Sequence, residues 1–483
     1  MKYLILETVA AKPLLETSGE IALDLIKEGH SVVFAFIGNN LPWTDWDLPV
    51  WLTRLGCSLP RRVARFEQII ADEGVQVMSS PRLTPDVLDR CQRCSESFSG
   101  TLEDLKRYRC GNAKLGMGVA SSLISWSGDS IYDVAQRPEA ARQLLHSAAI
   151  VYERAISMIR AHRPDTVVTF NGRFATCKPI VEAAVAELIP VLRHDRGATF
   201  DKYELYDEPI HSFEYIRRRI NQAWQMADPC SRIEMGHSFF VRRRGGDGIG
   251  WFPFVDKQTQ GEIPERIPGR RRVVYFSSSD DEYAAISDMV LPGLWGRQVD
   301  AIQDVAAICN TIDDVELIIR IHPNLAKKSS AERKRWSGFA NSNVRVIPPE
   351  SNVDSYALLD SADIVVTYGS TIGIEAAYWG KLSVLIGPTP HSGLGACVEP
   401  TTKEKFIALL AKKGHAVAEP QEKCLPFGYY YTTFGRKFKH YQPSALLRGK
   451  FLGHSLDWDT LPIRWLRRLG VGRIYNNITR TMR

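Results

Sequence analysis

The 483-residue chain predicts an α/β fold of two doubly wound, Rossmann-like domains facing across a cleft, with a basic helical tail at the C-terminus. Three observations predict it. Short β-branched runs alternate with longer segments whose apolar residues recur every three or four positions, the pattern of buried parallel strands joined by helices. The series starts twice, at Lys2 and at Arg271, with the glycine- and proline-rich stretch Gly245–Arg270 between. The length also exceeds what one core ordinarily serves, so about two to three domains are expected. The boundaries read as an N-terminal Rossmann-like domain over 1–250 with a helical insertion near 80–135, a linker over 251–271, a C-terminal Rossmann-like domain over 272–430, and a basic tail over 431–483.

A composition of 44% hydrophobic and 24% charged residues is that of a globular protein. No run of 18 apolar residues exists, so no transmembrane helix is expected. The start, MKYLILETVA, has one lysine and only four apolar residues before Glu7, and reads as a first strand rather than a secretion signal. Nine cysteines are scattered at 57, 91, 94, 110, 177, 230, 309, 397 and 424 without framework spacing, so reduced thiols in a cytoplasmic protein are expected. Cys91 and Cys94 form a CxxC pair with Cys110 downstream, but no second pair or histidine cluster completes a zinc site, and no metal is expected.

The net charge of +6 is unevenly placed: from Tyr431 onward eleven Lys or Arg face only Asp457 and Asp459, leaving +9 there and −3 on the rest. With Trp465, Leu466 and Leu469 among Arg464, Arg467 and Arg468, this tail fits an anionic membrane surface on the inner face, or equally a basic helix packed across the domains. Nucleic acid is not an expected partner, because the basic residues do not interleave with aromatics in a binding module.

In the first series Lys2–Glu7 is a strand, a helix runs to Lys27, and Ser31–Ile37 is the next strand. The first turn lacks a glycine-rich fingerprint, which argues against a dinucleotide domain at the N-terminus. Leu41–Trp51, rich in Trp, Pro and Asp, reads as a loop over the strand ends. Leu59–Glu73 is helical, Val75–Met78 a strand, and Ser80–Asp133 a mostly helical insertion. A long helix over Pro138–Ala161 precedes the strand Thr166–Phe170 and the turn NGRF; the helix Lys178–Leu188 precedes the strand Val191–Arg193 and the turn HDRG. Two strand ends therefore carry Asn171, Arg173, His194, Asp195 and Arg196 to one edge of the sheet, where open α/β sheets bind ligands. Asp195 or His194 suits a general base, and Arg173 and Arg196 suit an anion or an orienting pair for the carboxylate; a structural Asp–Arg pair is the alternative.

In the second series Val273–Phe276 ends in SSSDDEY, whose Ser277, Ser278 and Ser279 offer hydroxyls and N–H groups at a strand end. After a helix holding Trp295, Gln298 and Ile302 comes DDVELIIRIHPN, in which Arg320 and His322, two apart on a strand, point to one side. They suit phosphate oxygens and a nucleobase or ribose; a histidine satisfied inside its turn is the alternative. Val344–Ile347 is a strand and Ser355–Leu359 a short helix. Then DIVVTYGSTIGIEAAYWGKLSVLIG reads as strand, turn, helix, strand, with Gly369, Ser370 and Thr371 opening the helix toward a phosphate and Glu375 one turn on, placed to accept sugar hydroxyls. Ser370 and Thr371 acting merely as caps is the alternative. Pro400–Lys412 closes the domain with a last helix.

FSSSDDEY, RIHPN and ADIVVTYGSTIGIEAAYWGK resemble the second domain of the capsule and surface polysaccharide biosynthesis glycosyltransferases of GT-B fold, over about residues 272–412; NGR and HDRG extend the resemblance to the first half. It implies that His322, Ser370 and Thr371 contact the donor nucleotide and that an acidic base lies in the first domain, with Asp195 the candidate by position. No Asp-x-Asp motif stands in a fitting place, so transfer without a metal or other cofactor is implied. The expected reaction is inverting transfer from a CMP- or UDP-sugar, the His-Pro pair tilting toward CMP, to a glycan or lipid-linked acceptor. Ser277, Ser278, Arg320, Ser370 and Thr371 would stabilise the departing phosphate. The rival readings are a non-hydrolysing nucleotide-sugar epimerase, a polyol-phosphate transferase, and a non-catalytic sugar-nucleotide-binding scaffold.

Overall fold

A computed structural model describes residues 1–43, 59–247, 258–279, 284–286, 294–327, 334–336, 338–339, 343–411, 417–445 and 448–456. The chain forms two compact units, one of Met1–Ser127, Ile131–Ile210 and Gly435–Arg483, the other of Gly128–Ser130 and His211–Phe434.

The first unit opens with β1 (Lys2–Glu7), α1 (Leu14–Lys27), β2 (Ser31–Phe36), α2 (Leu59–Asp72) and β3 (Gln76–Met78). The insertion follows as α3 (Pro85–Glu96), α4 (Leu102–Arg107) and α5 (Gly116–Ser127). Then come α6 (Pro138–His162), β4 (Thr166–Phe170), α7 (Lys178–Ala186), β5 (Val191–Arg196) and β6 (Lys202–Tyr206). The second unit contributes α8 (Phe213–Met226), α9 (Pro229–Arg244), β7 (Arg271–Phe276), α10 (Gln298–Asn310), β8 (Val315–Arg320) and β9 (Val344–Ile347). It continues with α11 (Ser355–Ser361), β10 (Ile364–Thr367), α12 (Ile372–Tyr378), β11 (Leu382–Leu385), α13 (Lys403–Ala411) and α14 (Pro420–Thr433). The chain ends its described course in the first unit with β12 (Arg436–Lys437), β13 (Tyr441–Ala445) and β14 (Arg448–Phe451).

Both sheets show the expected Rossmann-like winding. The first has the order β12-β6-β5-β4-β1-β2-β3, parallel from β5 to β3, with β6 and β12 antiparallel at one edge. The second, β11-β10-β7-β8-β9, is parallel throughout. The strands TVVTF and IVVT are buried at every position, as strands covered on both faces must be. Alternate residues of β7 supply the two cores of its sheet: Val273 and Tyr275 join Ile302 and Val305 of α10, while Val274 and Phe276 join Leu358 and Leu359 of α11.

The first unit ends at residue 210 rather than near 250, because α8 and α9 pack on α14. A Cβ on Gly428 would lie 2.3 Å from the Gly236 carbonyl, so the α9–α14 approach requires glycine. Phe240 stacks on Tyr378 with centroids 4.0 Å apart, and His237 Nδ1 lies 2.8 Å from the Tyr378 hydroxyl. Neither α9 nor α14 shows a clear period in sequence; α14 carries Pro426 inside it and buries residues on several sides. Of the expected linker, 251–257 lie outside the described residues; 258–262 bind the second unit, where Thr259 bridges Val353 and the Gly261 N–H donates to Asp354.

The expected tail likewise begins as part of the first unit. Acidic residues at four-residue spacing on α1 hold it. Buried Glu20 accepts the backbone N–H groups of Lys439, His440 and Tyr441; Asp24 accepts Lys439 Nζ at 2.7 Å and the Tyr203 hydroxyl at 3.3 Å. Glu16 forms a two-pronged pair with buried Arg62 at 2.8 and 2.7 Å, and Arg62 also donates to the carbonyls of Ala10 and Leu456, each at 2.6 Å. Phe451 packs so closely over Gly19 that a Cβ there would meet its ring at 2.6 Å. Arg464, Trp465 and the rest of the basic segment lie outside the described residues, as do 44–58 of the expected loop. No described helix is long and apolar enough to cross a membrane.

One cysteine expectation is corrected: Cys94 and Cys110 form a disulfide, since α3 and the turn after α4 bring their Cα atoms to 5.7 Å, while Cys91 stays a buried thiol. Glu16→Gln is expected to destabilise the first unit by roughly 3–5 kcal/mol, because it strips the buried Arg62 of its counter-charge. Denaturant unfolding measures it, and a loss below about 1 kcal/mol would contradict the role given to the pair.

Candidate functional site

In the second sheet β7, β8 and β9 follow one another outward to one side and β10 and β11 to the other, so the winding reverses between β7 and β10. At such a reversal the crossovers diverge and leave a crevice at the carboxyl ends of the strands. Ser277–Ser279 follow β7 and Tyr368–Thr371 follow β10, one turn on each side; His322 follows the neighbouring β8.

These turns are cross-tied. The Ser277 N–H donates to the Arg320 carbonyl at 3.1 Å and the His322 N–H to Ser277 Oγ at 2.9 Å. Gln298 of α10 clamps Ser278 by both backbone groups, accepting its N–H at 2.6 Å and donating to its carbonyl at 3.2 Å. Asn324 donates its N–H to His322 Nδ1 at 3.2 Å and its amide to Ser279 Oγ at 3.5 Å, so the neutral His322 ring carries its proton on Nε2. Gly373 lets α12 close onto β10: a Cβ there would lie 2.5 Å from Thr367 Oγ1. Gly369 is buried, Ser370 half-buried and Thr371 exposed at the helix start, where the Thr371 side chain makes no cap bond.

Two expected ligand contacts are corrected. Glu375 does not face a sugar: it lies on the buried side of α12, accepts the Tyr356 hydroxyl at 2.5 Å and pairs with Arg243 of α9 at 3.2 Å. Burial and the Glu375 charge push the Tyr356 hydroxyl above its ordinary range, and Glu375 raises Arg243. Arg320 does not share an open face with His322: it is 2% exposed, and its guanidinium donates to the carbonyls of Pro348 at 2.7 Å and Ser351 at 3.2 Å. The strand's alternation does put the two residues in register, but Arg320 ends β8 inside the sheet and bends back to the loop after β9. No carboxylate pairs with Arg320 among the described residues, and burial pulls it down to about 10. Its Nε, Ser278 Oγ and Thr367 Oγ1 are buried without a partner at three adjacent strand ends.

The first sheet reverses between β1 and β4. Beyond β4, Asn171 and Gly172 take left-handed backbone, with φ of 50° and 79°. This turns the Asn171 amide onto Asp195, donating to Oδ2 at 2.6 Å, while Asp195 Oδ1 accepts the Arg196 N–H at 2.7 Å. Arg173 donates through Nε to Ser121 of the insertion at 2.5 Å and lies over the Phe174 ring, and Ser122 accepts the Ala175 N–H at 2.8 Å. The insertion helix α5 thus grips the NGRF turn. Asp195 and Arg196 are half-buried.

His194 lies at the same strand end but not on the side of Asp195. Successive residues of a strand face opposite ways, so with Asp195 at the edge His194 turns inward. It is fully buried, with Nε2 2.7 Å from Glu7 Oε1 and 3.1 Å from Ser18 Oγ, and Ser18 Oγ donates to Glu7 Oε1 at 2.8 Å. Glu7 and Ser18 escaped the sequence reading; the available signal was a carboxylate ending the otherwise apolar strand KYLILE.

Glu20, Asp24 and His440 bring their ligand atoms within 4.8 Å of one another, but both carboxylates already accept the hydrogen bonds of the C-terminal return. The loop after β11, anchored where Gly387 packs on Tyr368, carries His391, which is 2% exposed with neither ring nitrogen bonded. It lies against Phe427 with centroids 5.5 Å apart.

No described protein family and no curated protein matches this sequence. Among solved structures, the chain is similar to a Thermosulfurimonas dismutans KpsC beta Kdo 2,4 transferase, at 14% identity over 55% of this chain and 79% of that one, with a TM-score of 0.36. It is similar also to the Streptomyces nogalater glycosyltransferase SnogD, at 14% identity over 89% and 94% with a TM-score of 0.23. A third is a Neisseria meningitidis UDP-GlcNAc 2-epimerase, at 11% identity over 89% and 97% with a TM-score of 0.24.

Burial pulls His391 from 6.5 down to about 3. Below pH 6.5 the unfolded chain binds a proton that the folded chain refuses, so stability is full above that pH and falls as the pH drops toward 3, by roughly 5 kcal/mol at most. His391→Phe is expected to flatten this limb of the denaturant midpoint against pH; an unchanged limb would count against the assignment.

Proposed function

We propose that the chain is an inverting glycosyltransferase that moves a sugar from a CMP- or UDP-activated donor to a glycan or lipid-linked acceptor in surface polysaccharide synthesis, without a metal. The observation that carries this reading is the set of unfilled polar atoms at the winding reversal of the second sheet. Among the described residues, a buried guanidinium without a carboxylate partner, two buried hydroxyls without partners, and the exposed Thr371 at a helix start gather at neighbouring strand ends. Leaving a buried donor unsatisfied costs about 1–3 kcal/mol, more for a charged group, and an anion with several oxygens would satisfy them together.

In this mechanism the donor phosphate lies against Ser277, Ser278, Ser370 and Thr371, with the charge of Arg320 held behind them by the Pro348 and Ser351 carbonyls, and His322 meets the base or ribose. The acceptor is served by the first unit, where a base near Asp195 takes the proton of its hydroxyl. The attacking oxygen bonds to the anomeric carbon as the bond to phosphate breaks, and the electron pair leaves on the phosphate, whose growing charge Arg320 offsets in a low-dielectric site. Glu375, committed to Arg243 and Tyr356, shapes the turn instead of touching the sugar. The basic segment beyond residue 457 would draw the enzyme to an anionic lipid surface.

CMP, UDP, GDP and CDP differ in the base and in phosphate number, so a thermal-shift screen of the full chain reads the donor directly. One nucleotide is expected to raise the melting temperature, and Ser278→Ala, which removes one of the unpartnered hydroxyls, is expected to reduce that shift. Turnover with the matching nucleotide sugar then separates the rivals. Transfer that requires an acceptor supports this reading, conversion of the nucleotide sugar alone means an epimerase, and binding without turnover means a scaffold.

A further inference from the structure

We propose that His194 is the proton acceptor of the transfer and Glu7 its positioning residue, an inference that rests on the transferase reading above. Both lie in the first unit at the carboxyl end of its sheet: Glu7 closes β1, at the winding reversal, and His194 sits near the end of β5. The His194 ring is bonded on one side only. Nε2 faces Glu7 Oε1 at 2.7 Å and Ser18 Oγ at 3.1 Å, while Nδ1 is buried with no partner. Ser18 Oγ donates to the same Glu7 oxygen at 2.8 Å, so that oxygen is placed as an acceptor and the ring proton is assigned to Nε2. A carboxylate holding one imidazole N–H leaves the other nitrogen as an oriented lone pair and stabilises the imidazolium once a proton arrives; this is the logic by which a carboxylate makes histidine a base.

Asp195 is the more committed side chain of the two. Both of its oxygens already accept hydrogen bonds, from the Asn171 amide at 2.6 Å and the Arg196 N–H at 2.7 Å, whereas His194 keeps Nδ1 without a partner. Glu7 Oε2 is a second buried orphan. Packing alone gives no reason for a carboxylate oxygen and an imidazole nitrogen to go unsatisfied side by side in a core, and such groups gather where chemistry uses them. The ring is fully buried, and Phe170, its centroid 5.8 Å away, belongs with Val9 and Leu14 to an apolar cluster packed with Ala11 and Phe174. An acceptor that displaces this cluster reaches Nδ1 in a dry site. The acceptor O–H proton then passes to Nδ1, its oxygen bonds to the anomeric carbon, and the donor's carbon–phosphate oxygen bond breaks with its electron pair leaving on the phosphate.

The test has a readout that does not depend on turnover. In the full chain with 15N-labelled histidine, one of the 11 histidines, assigned by its loss in His194→Gln, is expected to show a single tautomer with hydrogen on Nε2 and a bare Nδ1 at pH 7. Glu7→Gln is expected to release that tautomer into an exchanging mixture, with Glu7→Asp restoring it in part. A proton on Nδ1 in the wild-type chain, or a pattern that Glu7→Gln leaves unchanged, overturns the proposal. In turnover, His194→Gln is expected to lower kcat by about 10²–10⁴-fold with the nucleotide thermal shift retained, the range of a lost general base. Full transfer by His194→Gln together with loss in Asp195→Asn would overturn the dyad and leave the transferase standing. Absence of transfer by the wild-type chain would sink the transferase reading, with the tautomer result still deciding the geometry.

Discussion

A parallel sheet covered by helices on both faces can present ligand-binding groups only at its carboxyl edge, and both units are built on that constraint. Each winds its first three strands to one side and the next two to the other, so each opens once, at β1/β4 and at β7/β10. The faces of the strands are spent on packing, as the fully buried TVVTF and IVVT runs show. The polar side chains proposed for chemistry therefore come from the last few strand residues or from the turns just past them. Glu7, Asn171, Asp195, Ser277, Arg320, His322 and Ser370 all do.

The same edge explains how charge is handled. Away from it, buried ions are paired: Arg62 with Glu16, and Arg243 with Glu375 and Tyr356. Leaving one partner alone in a dry core is severely unfavourable, so such pairs join elements that must stay together. At the edge the rule changes. Among the described residues Arg320 has backbone carbonyls but no carboxylate, and Glu7 and His194 each keep one atom unbonded. The two kinds of burial look alike by accessibility and differ only in whether the partners are complete.

The supports of the site come from far along the chain. Ser121 and Ser122 of the insertion fix the turn that holds Asn171 against Asp195, and the C-terminal return lies on the acidic ridge Glu16, Glu20 and Asp24 of α1. Ser18, on the same helix, touches the Glu7–His194 pair. A change in the return could thus reach the first unit's site through one rigid helix, although the residues are more than 400 positions apart in sequence.

Local pattern determined the strands, most helices and the identity of the turns at the strand ends, because period and β-branching act within a few residues. Asp195, Arg173, Ser277, His322, Ser370 and Thr371 were legible for that reason: each stands next to a strand whose direction the pattern already implied. Only the tertiary structure decided what those residues touch. Glu375 sits at the expected place on its helix, yet Arg243 and Tyr356 reach it from α9 and α11 and consume it. Arg320 alternates as a strand residue should, yet the loop after β9 takes its donors. His194 turned inward to meet Glu7 and Ser18, 187 and 176 residues away. Periodicity tells which way a side chain points relative to its own backbone; whether a partner waits there depends on contacts between segments that no local window contains.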